Sequence, residues 1–161
     1  MTSRNSRGLV RGTVFALALI GVVAGTAFAT PASQFVGTPL AKGTMSATVQ
    51  RNVGAIKFQT KGAVVFNVAS VAVAPGGSSG WHSHPGVVLV TVKQGAITFY
   101  DQNCNSTVYP AGSSFIESDG DGPGLARNEG ATDALVYVTY IAPADTTVFR
   151  IDQGNPGCPQ S

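Results

Sequence analysis

The chain consists mainly of short apolar runs, rich in Val, Ile, Thr, Phe and Tyr, that are separated by Gly, Pro, Asn and Asp. No stretch carries apolar residues at helical spacing over more than a turn or two, so the pattern predicts strands rather than helices. The predicted strands are residues 44–51, 55–60, 63–74, 87–94, 96–101, 106–109, 113–117 and 134–142. Short strands at intervals of about ten residues indicate one all-β sandwich or barrel.

The segments on either side of these strands are richer in Gly and Pro. We predict an N-terminal arm at residues 30–43, a barrel at 44–150 and a C-terminal tail at 151–161, the arm and tail lying over the surface. The turn at residues 93–95 (Lys-Gln-Gly) separates two predicted strands and favours a hairpin between them.

The first 29 residues have the pattern of a secretory signal peptide. Residues 1–12 carry three arginines and no acid, residues 13–24 are almost wholly apolar, and Ala27 and Ala29 are the small residues that signal peptidase needs. An uncleaved anchor is the alternative, but a spanning helix needs roughly 20 apolar residues and this run has about twelve. We therefore expect cleavage after Ala29, a secreted or extracytoplasmic chain that begins at Thr30, and no membrane anchor after cleavage.

Charge narrows the classes of partner. Only 11% of the residues are charged, and without the leader seven Lys and Arg face eight Asp and Glu, a formal net charge of −1. No basic stripe remains to neutralise phosphates, so we expect no nucleic-acid partner.

Cys104 and Cys158 are the two cysteines of the sequence. An even pair in an exported chain usually forms a disulfide, which here would tie the C-terminal tail to the barrel. Two free thiols are the alternative.

The two histidines of the sequence lie in a single Trp-His-Ser-His segment, as His82 and His84. In an extended segment, side chains two residues apart point to the same face, so both imidazoles can approach one ion. His-x-His is a recurrent half-site for first-row transition metals, and we favour a metal site inside the barrel over a chance spacing in a polar turn.

A third ligand has to come from the few acidic residues. Glu117 ends a predicted strand and shares its parity with Phe115, so Glu117 faces inward if Phe115 does. A carboxylate at the rim that faces water is the alternative. We take Glu117 as the candidate third ligand.

These residues resemble the first motif of the cupins, which is a glycine, five residues, His-x-His, three or four residues, a glutamate, six residues and a glycine. The chain matches every spacing with Gly76, His82, His84 and Gly95, and has Val88 at the position of the glutamate. The second cupin motif ends in a histidine followed three residues later by an asparagine. Asn128 matches that asparagine, which leaves Gly124 at the position of the histidine.

The resemblance covers residues 63–142 and implies a small jelly-roll barrel, in agreement with the strand count. The complete cupin set has three histidines and one glutamate, and cupins that carry it include dioxygenases, isomerases and oxalate-degrading enzymes. This chain keeps His82 and His84 of that set.

Three functions are consistent with these features. The first is an exported barrel that binds a small molecule or a divalent transition metal (Fe, Mn, Zn, Ni or Cu), with Trp81, Tyr100 and Arg127 lining its mouth. The second is a metal-dependent dioxygenase or isomerase that uses His82, His84 and Glu117. The third is a non-catalytic structural or interaction barrel. In that case the apolar strand at 134–142 would pair two copies in a homodimer or form the barrel wall.

Overall fold

The computed structural model describes residues 29–118 and 120–159. Most of the predicted signal peptide, residues 1–28, lies outside these ranges. The described residues contain no helix long and apolar enough to cross a membrane. Their strands are β1 (Ser33–Met45), β2 (Gln50–Val53), β3 (Ile56–Gln59), β4 (Val64–Ser78), β5 (His82–Ser83), β6 (Val87–Gln94), β7 (Ala96–Tyr100), β8 (Ser106–Pro110), β9 (Ser114–Ser118), β10 (Leu125–Arg127), β11 (Ala134–Pro143) and β12 (Ile151–Asp152).

Eight of these strands form a nearly closed antiparallel barrel. Hydrogen bonds connect them in the order β8-β7-β10-β4-β11-β6-β9, and β1 pairs with β4 as well. The strands with the longest runs of β-branched residues, β4, β6 and β11, lie side by side and form the middle of the wall. The prediction of a single all-β barrel is confirmed.

Alternation along the strands places one face of each in the barrel interior. In β6, Val88, Val90 and Val92 are buried, whereas Val87 and Leu89 are partly exposed. The same period of two continues across the neighbouring strands, so the interior is filled mainly by aliphatic and aromatic side chains. The buried core comprises Val71, Val73, Val88, Val90, Val92, Ile97, Phe115, Ala126, Ala134, Val136 and Val138.

Most of the predicted N-terminal arm at 30–43 belongs to a strand, Ser33–Met45, whose residues are largely exposed. The strand β1 pairs with β4 from Ser33 opposite Ser78 to Met45 opposite Val64. Its glycines and proline hid the strand pattern, but Pro39 lies at a shift in the register, a position where a strand tolerates the missing amide hydrogen. The predicted strand at 44–51 is divided in consequence, because β1 ends where its partner strand begins.

The predicted hairpin at residues 93–95 is also wrong. The strands β6 and β7 are consecutive in sequence, yet β6 pairs with β11 and β9, and β7 pairs with β10 and β8. Gly95 has a φ of +70°, and a Cβ there would lie 2.9 Å from the Cα of Ala134. The turn therefore carries the chain around a corner of the barrel, against the start of β11.

The C-terminal segment lies across the strand that bears the two histidines. Ile151 and Asp152 in β12 pair with Ser83 and His82 in β5. Further along, Cys158 forms a disulfide with Cys104, as predicted, and is buried beside Trp81. The disulfide fastens this segment to the loop that follows β7.

Candidate metal centre

His82 in the short strand β5 and His84 directly after it both project their rings into the barrel. Both are about 95% buried, and their ring centroids are 4.7 Å apart with nearly perpendicular planes. Ser83 between them faces the other way, where its hydroxyl accepts a hydrogen bond from the Gln153 amide. The alternation of an extended segment thus directs both imidazoles to one point.

A backbone carbonyl fixes the orientation of each ring. The Nδ1 of His82 lies 2.9 Å from the Gly80 carbonyl oxygen, and the Nδ1 of His84 lies 2.6 Å from the Phe149 carbonyl oxygen. A carbonyl oxygen can only accept, so both Nδ1 atoms carry the hydrogen and each neutral ring keeps its lone pair on Nε2. This is the usual arrangement around histidines that bind metal ions.

Glu117 approaches the two rings from β9. Its Oε2 lies 3.6 Å from the Nε2 of His82 and 3.3 Å from the Nε2 of His84, and its side chain is 11% exposed. Phe115, two residues earlier, is buried in the core, so the shared parity does place Glu117 inside. One ligand atom from each of the three residues lies within 4.8 Å of the others, a geometry that can hold one metal ion.

Burial shifts the pKa of His82 in this cluster and of Tyr140 beside it. Removal of the His82 ring from water lowers its pKa from 6.5 to about 4, Glu117 opposes that shift, and Arg150 and His84 add to it. Burial also raises the pKa of Tyr140, as does the Glu117 carboxylate nearby. His82 is therefore neutral at pH 7 and can donate its Nε2 lone pair without first losing a proton.

A cavity of about 50 Å³ lies inside the barrel beside the three residues. Its walls are mostly aliphatic and aromatic, and Tyr140 and Arg150 are its polar lining residues outside the triad. The Tyr140 ring lies 5.5 Å from the ring of His84. A second cavity of about 40 Å³ lies on the other side of the triad, between Phe99 and the loop at 121–124.

Tyr140 and Arg150 were not among the site residues predicted from the sequence. Tyr140 shares its parity in β11 with Val136 and Val138, which are buried, so the period of two could have placed it inside. Arg150 lies outside the regular strands, and no local pattern indicates that the C-terminal segment returns to the histidines.

Trp81, Tyr100 and Arg127 were predicted to line the mouth, and none of the three is among the residues that line the two cavities beside the triad. Trp81 and Tyr100 pack with Leu125 and Cys158 in a second buried cluster, where the Tyr100 hydroxyl donates a hydrogen bond to Glu129. Each of the three directly neighbours a residue that lines a cavity, namely His82, Phe99 and Ala126.

The structure also shows what replaces the two missing cupin ligands. Val88 faces the interior, and Glu117 is its direct partner on the adjacent strand. Gly124 pairs with His82 through two backbone hydrogen bonds, and the ring of Phe99 fills the space that a side chain at Gly124 would need. The antiparallel barrel thus carries both motif segments at its histidine-bearing end. This nearly closed antiparallel barrel is consistent with a cupin jelly roll.

No protein-family model and no curated protein matches the chain. Similar solved structures include an uncharacterised protein with a double-stranded β-helix domain from Klebsiella pneumoniae, 22% identical over 55% of this chain and 76% of that one, with a TM-score of 0.47. Another is the Cupin_2 domain of an XRE family transcriptional regulator from Enterobacter cloacae, 18% identical over 68% and 97% of the two chains, with a TM-score of 0.45. A cupin 2 conserved barrel domain protein from Leptotrichia buccalis is 15% identical over 65% and 39%, with a TM-score of 0.46.

Proposed function

We propose that this protein is an exported cupin-type barrel that binds one divalent transition-metal ion, with a small ligand beside it. The ligands of the ion are the Nε2 atoms of His82 and His84 and the carboxylate of Glu117. Two imidazoles and one carboxylate form a donor set that suits Fe, Mn, Zn, Ni and Cu.

The convergence of three electron-pair donors carries this proposal. Both Nδ1 hydrogens are engaged by backbone carbonyls, so the two Nε2 lone pairs and the Glu117 carboxylate face one another at 3.3 and 3.6 Å. One metal ion between these atoms would accept electron pairs from all three residues at once, whereas a proton on one ring would join only that ring to Glu117. Burial strengthens the attraction of a cation, because little water is present to screen the charges.

Metal analysis of the purified protein tests the site. We expect about one metal ion per chain, loss of the ion in the double variant His82→Ala/His84→Ala, and at least about tenfold weaker binding in Glu117→Gln. Glu129→Gln is the matched control, because that carboxylate pairs with Tyr100 outside the triad. Unchanged affinity in Glu117→Gln would remove Glu117 from the site.

The leader and the disulfide support export. The charged, apolar and small-residue segments of residues 1–29 follow the order of a signal peptide, and disulfides persist in oxidising compartments. Thr30 already belongs to the fold, since its amide donates to the Gln153 carbonyl and its hydroxyl accepts from the Trp81 amide. Intact mass after expression of the full chain should correspond to a protein that begins at Thr30; a mass that retains the leader would argue for an anchor.

Oxygen-dependent oxidation is a second candidate function. Three protein ligands leave coordination positions open, as in non-haem iron oxygenases, and the interior cavity adjoins them. Nitric oxide tests for an open position: protein loaded with ferrous iron should give the electron paramagnetic resonance signal of an iron–nitrosyl species. Absence of that signal from iron-loaded protein would leave the binding function alone.

A further inference from the structure

We propose that the interior cavity binds a short aliphatic monocarboxylate and that Arg150 selects its negative charge. This inference rests on the proposed metal site and names the class of small ligand that the site takes. Four features of the cavity carry it: its size, its walls, the donors left without partners and the balance of charge.

The size of the cavity limits the ligand to a few atoms. Its volume is about 50 Å³, and a group the size of one water molecule needs roughly 10–15 Å³ of such space. The cavity therefore admits a ligand of about four to five non-hydrogen atoms. Acetate and propionate have four and five, whereas a sugar or an aromatic acid has at least twice as many.

The walls favour an apolar tail. Aliphatic side chains from β4, β6, β7 and β11 form most of the surface, with Phe35 and Phe115. A hydroxyl or amino group placed against them would lose its hydrogen bonds to water without replacement, which disfavours its binding. The aliphatic wall residues are Val71, Val88, Val90, Ile97, Val136 and Val138.

Two polar residues that line the cavity, Arg150 and Tyr140, each keep a hydrogen-bond donor without a partner among the described residues. The Arg150 side chain uses Nε and Nη2 to bind the Asp152 carboxylate at 2.7 Å, and Nη2 also donates to the Ser79 carbonyl at 2.5 Å. Its Nη1 makes no hydrogen bond to the residues that the structure describes, and neither does the Tyr140 hydroxyl. Unpaired hydrogen-bond donors beside a metal ion with open coordination positions are suited to binding a carboxylate group.

The balance of charge in the cavity also favours a ligand with one negative charge. A divalent ion would carry two positive charges and Glu117 offsets one of them, whereas the charge of Arg150 is already paired with Asp152 at 2.7 Å. Arg150 is the one cationic side chain among the described residues that line the cavity. The cavity therefore has an excess of positive charge that a single carboxylate reduces. A dicarboxylate would bring a second charge against the aliphatic wall, where burial penalises it.

Calorimetric titration of zinc-loaded protein with propionate tests the proposal. We expect propionate to bind, propionamide and propylamine to show no binding, and malonate to bind at least about tenfold more weakly than propionate. These three comparison ligands use the wild-type protein, so their outcome does not depend on the folding of a variant. Equal binding of propionamide and propionate would overturn the proposal, because charge would then play no part.

Substitution of Arg150 tests its role directly. Arg150→Gln should retain zinc and weaken propionate binding at least about tenfold, and Arg150→Lys should recover part of the loss. Arg127→Gln is the matched control, since Arg127 lies outside the cavity lining. Unchanged propionate affinity in zinc-loaded Arg150→Gln would remove Arg150 from the site. Wild-type protein that holds zinc and ignores propionate would overturn this inference alone, whereas protein that holds no metal would overturn the proposed metal site as well.

Discussion

Val88 and Glu117 are direct partners across the antiparallel pair β6–β9, and both face the barrel interior. Val88 occupies the position at which the first cupin motif has its glutamate. The neighbouring strand therefore presents a carboxylate at the same level of the barrel, one strand away from the usual position. The two histidines lie on a third segment, in β5 and directly after it, and the Nε2 atoms of both lie within 3.6 Å of Glu117 Oε2.

Because Val88 and Glu117 lie opposite each other, we predict that a glutamate at position 88 can replace Glu117 as a metal ligand. The Cβ atoms of directly opposed residues are about 4.5–5.5 Å apart, a distance that a glutamate side chain can span. We expect Glu117→Val to lose the metal and the double variant Val88→Glu/Glu117→Val to regain it to within about tenfold of the wild type. Titration with zinc measures both affinities. A double variant as deficient as Glu117→Val would show that the carboxylate works only from β9.

The Phe99 ring predicts that a third histidine cannot be restored by one substitution. A side chain at Gly124 would collide with that ring, so Gly124→His alone should lower the melting temperature without tightening metal binding. Combined with Phe99→Ala, the new imidazole has room beside His82, and we expect at least about tenfold tighter zinc binding than in Phe99→Ala. Equal affinities in these two variants would show that position 124 does not face the ion.

Loss of the disulfide should affect both stability and the metal site. Cys104 and Cys158 are 54 residues apart, and closing such a loop destabilises the unfolded chain by about 4 kcal/mol on the chain-entropy estimate. The bonded segment also supplies the Phe149 carbonyl that orients His84. We expect Cys104→Ser/Cys158→Ser to unfold at lower urea concentration and to bind zinc more weakly. Zinc affinity equal to the wild type would show that β12 holds Phe149 without the disulfide.

The lowered pKa of His82 predicts an acid-sensitive metal-free protein. Its pKa is about 4 in the fold against an ordinary 6.5, so the unfolded chain binds more protons between these values. The stability contributed by the neutral ring is complete above pH 6.5 and declines as the pH falls toward 4, by at most about 3 kcal/mol. Urea unfolding in the presence of a chelator should show this decline in the wild type and a flatter profile in His82→Gln. Parallel profiles would contradict the low pKa.

Local periodicity determined much of the fold and the core of the site. The strands β6, β8, β9 and β11 follow their predicted ranges closely, because alternation and β-branched residues are properties of neighbouring positions in the chain. The same alternation predicted which way His82, His84 and Glu117 face, whereas the meeting of their two segments is a tertiary contact. Two cysteines allow one intramolecular pairing, which the fold contains.

Tertiary structure decided the features that depend on contacts between distant segments. Turn residues at 93–95 mark a change of direction, but the pairing of β6 with β11 rather than β7 follows from closure of the barrel. Arg150 and the Phe149 carbonyl reach the histidines because β12 pairs with β5, about 70 residues earlier. The Phe99 ring fills the space beside Gly124 for a similar reason. Each of these contacts joins segments whose local sequence patterns are independent, so the chain has to fold before they exist.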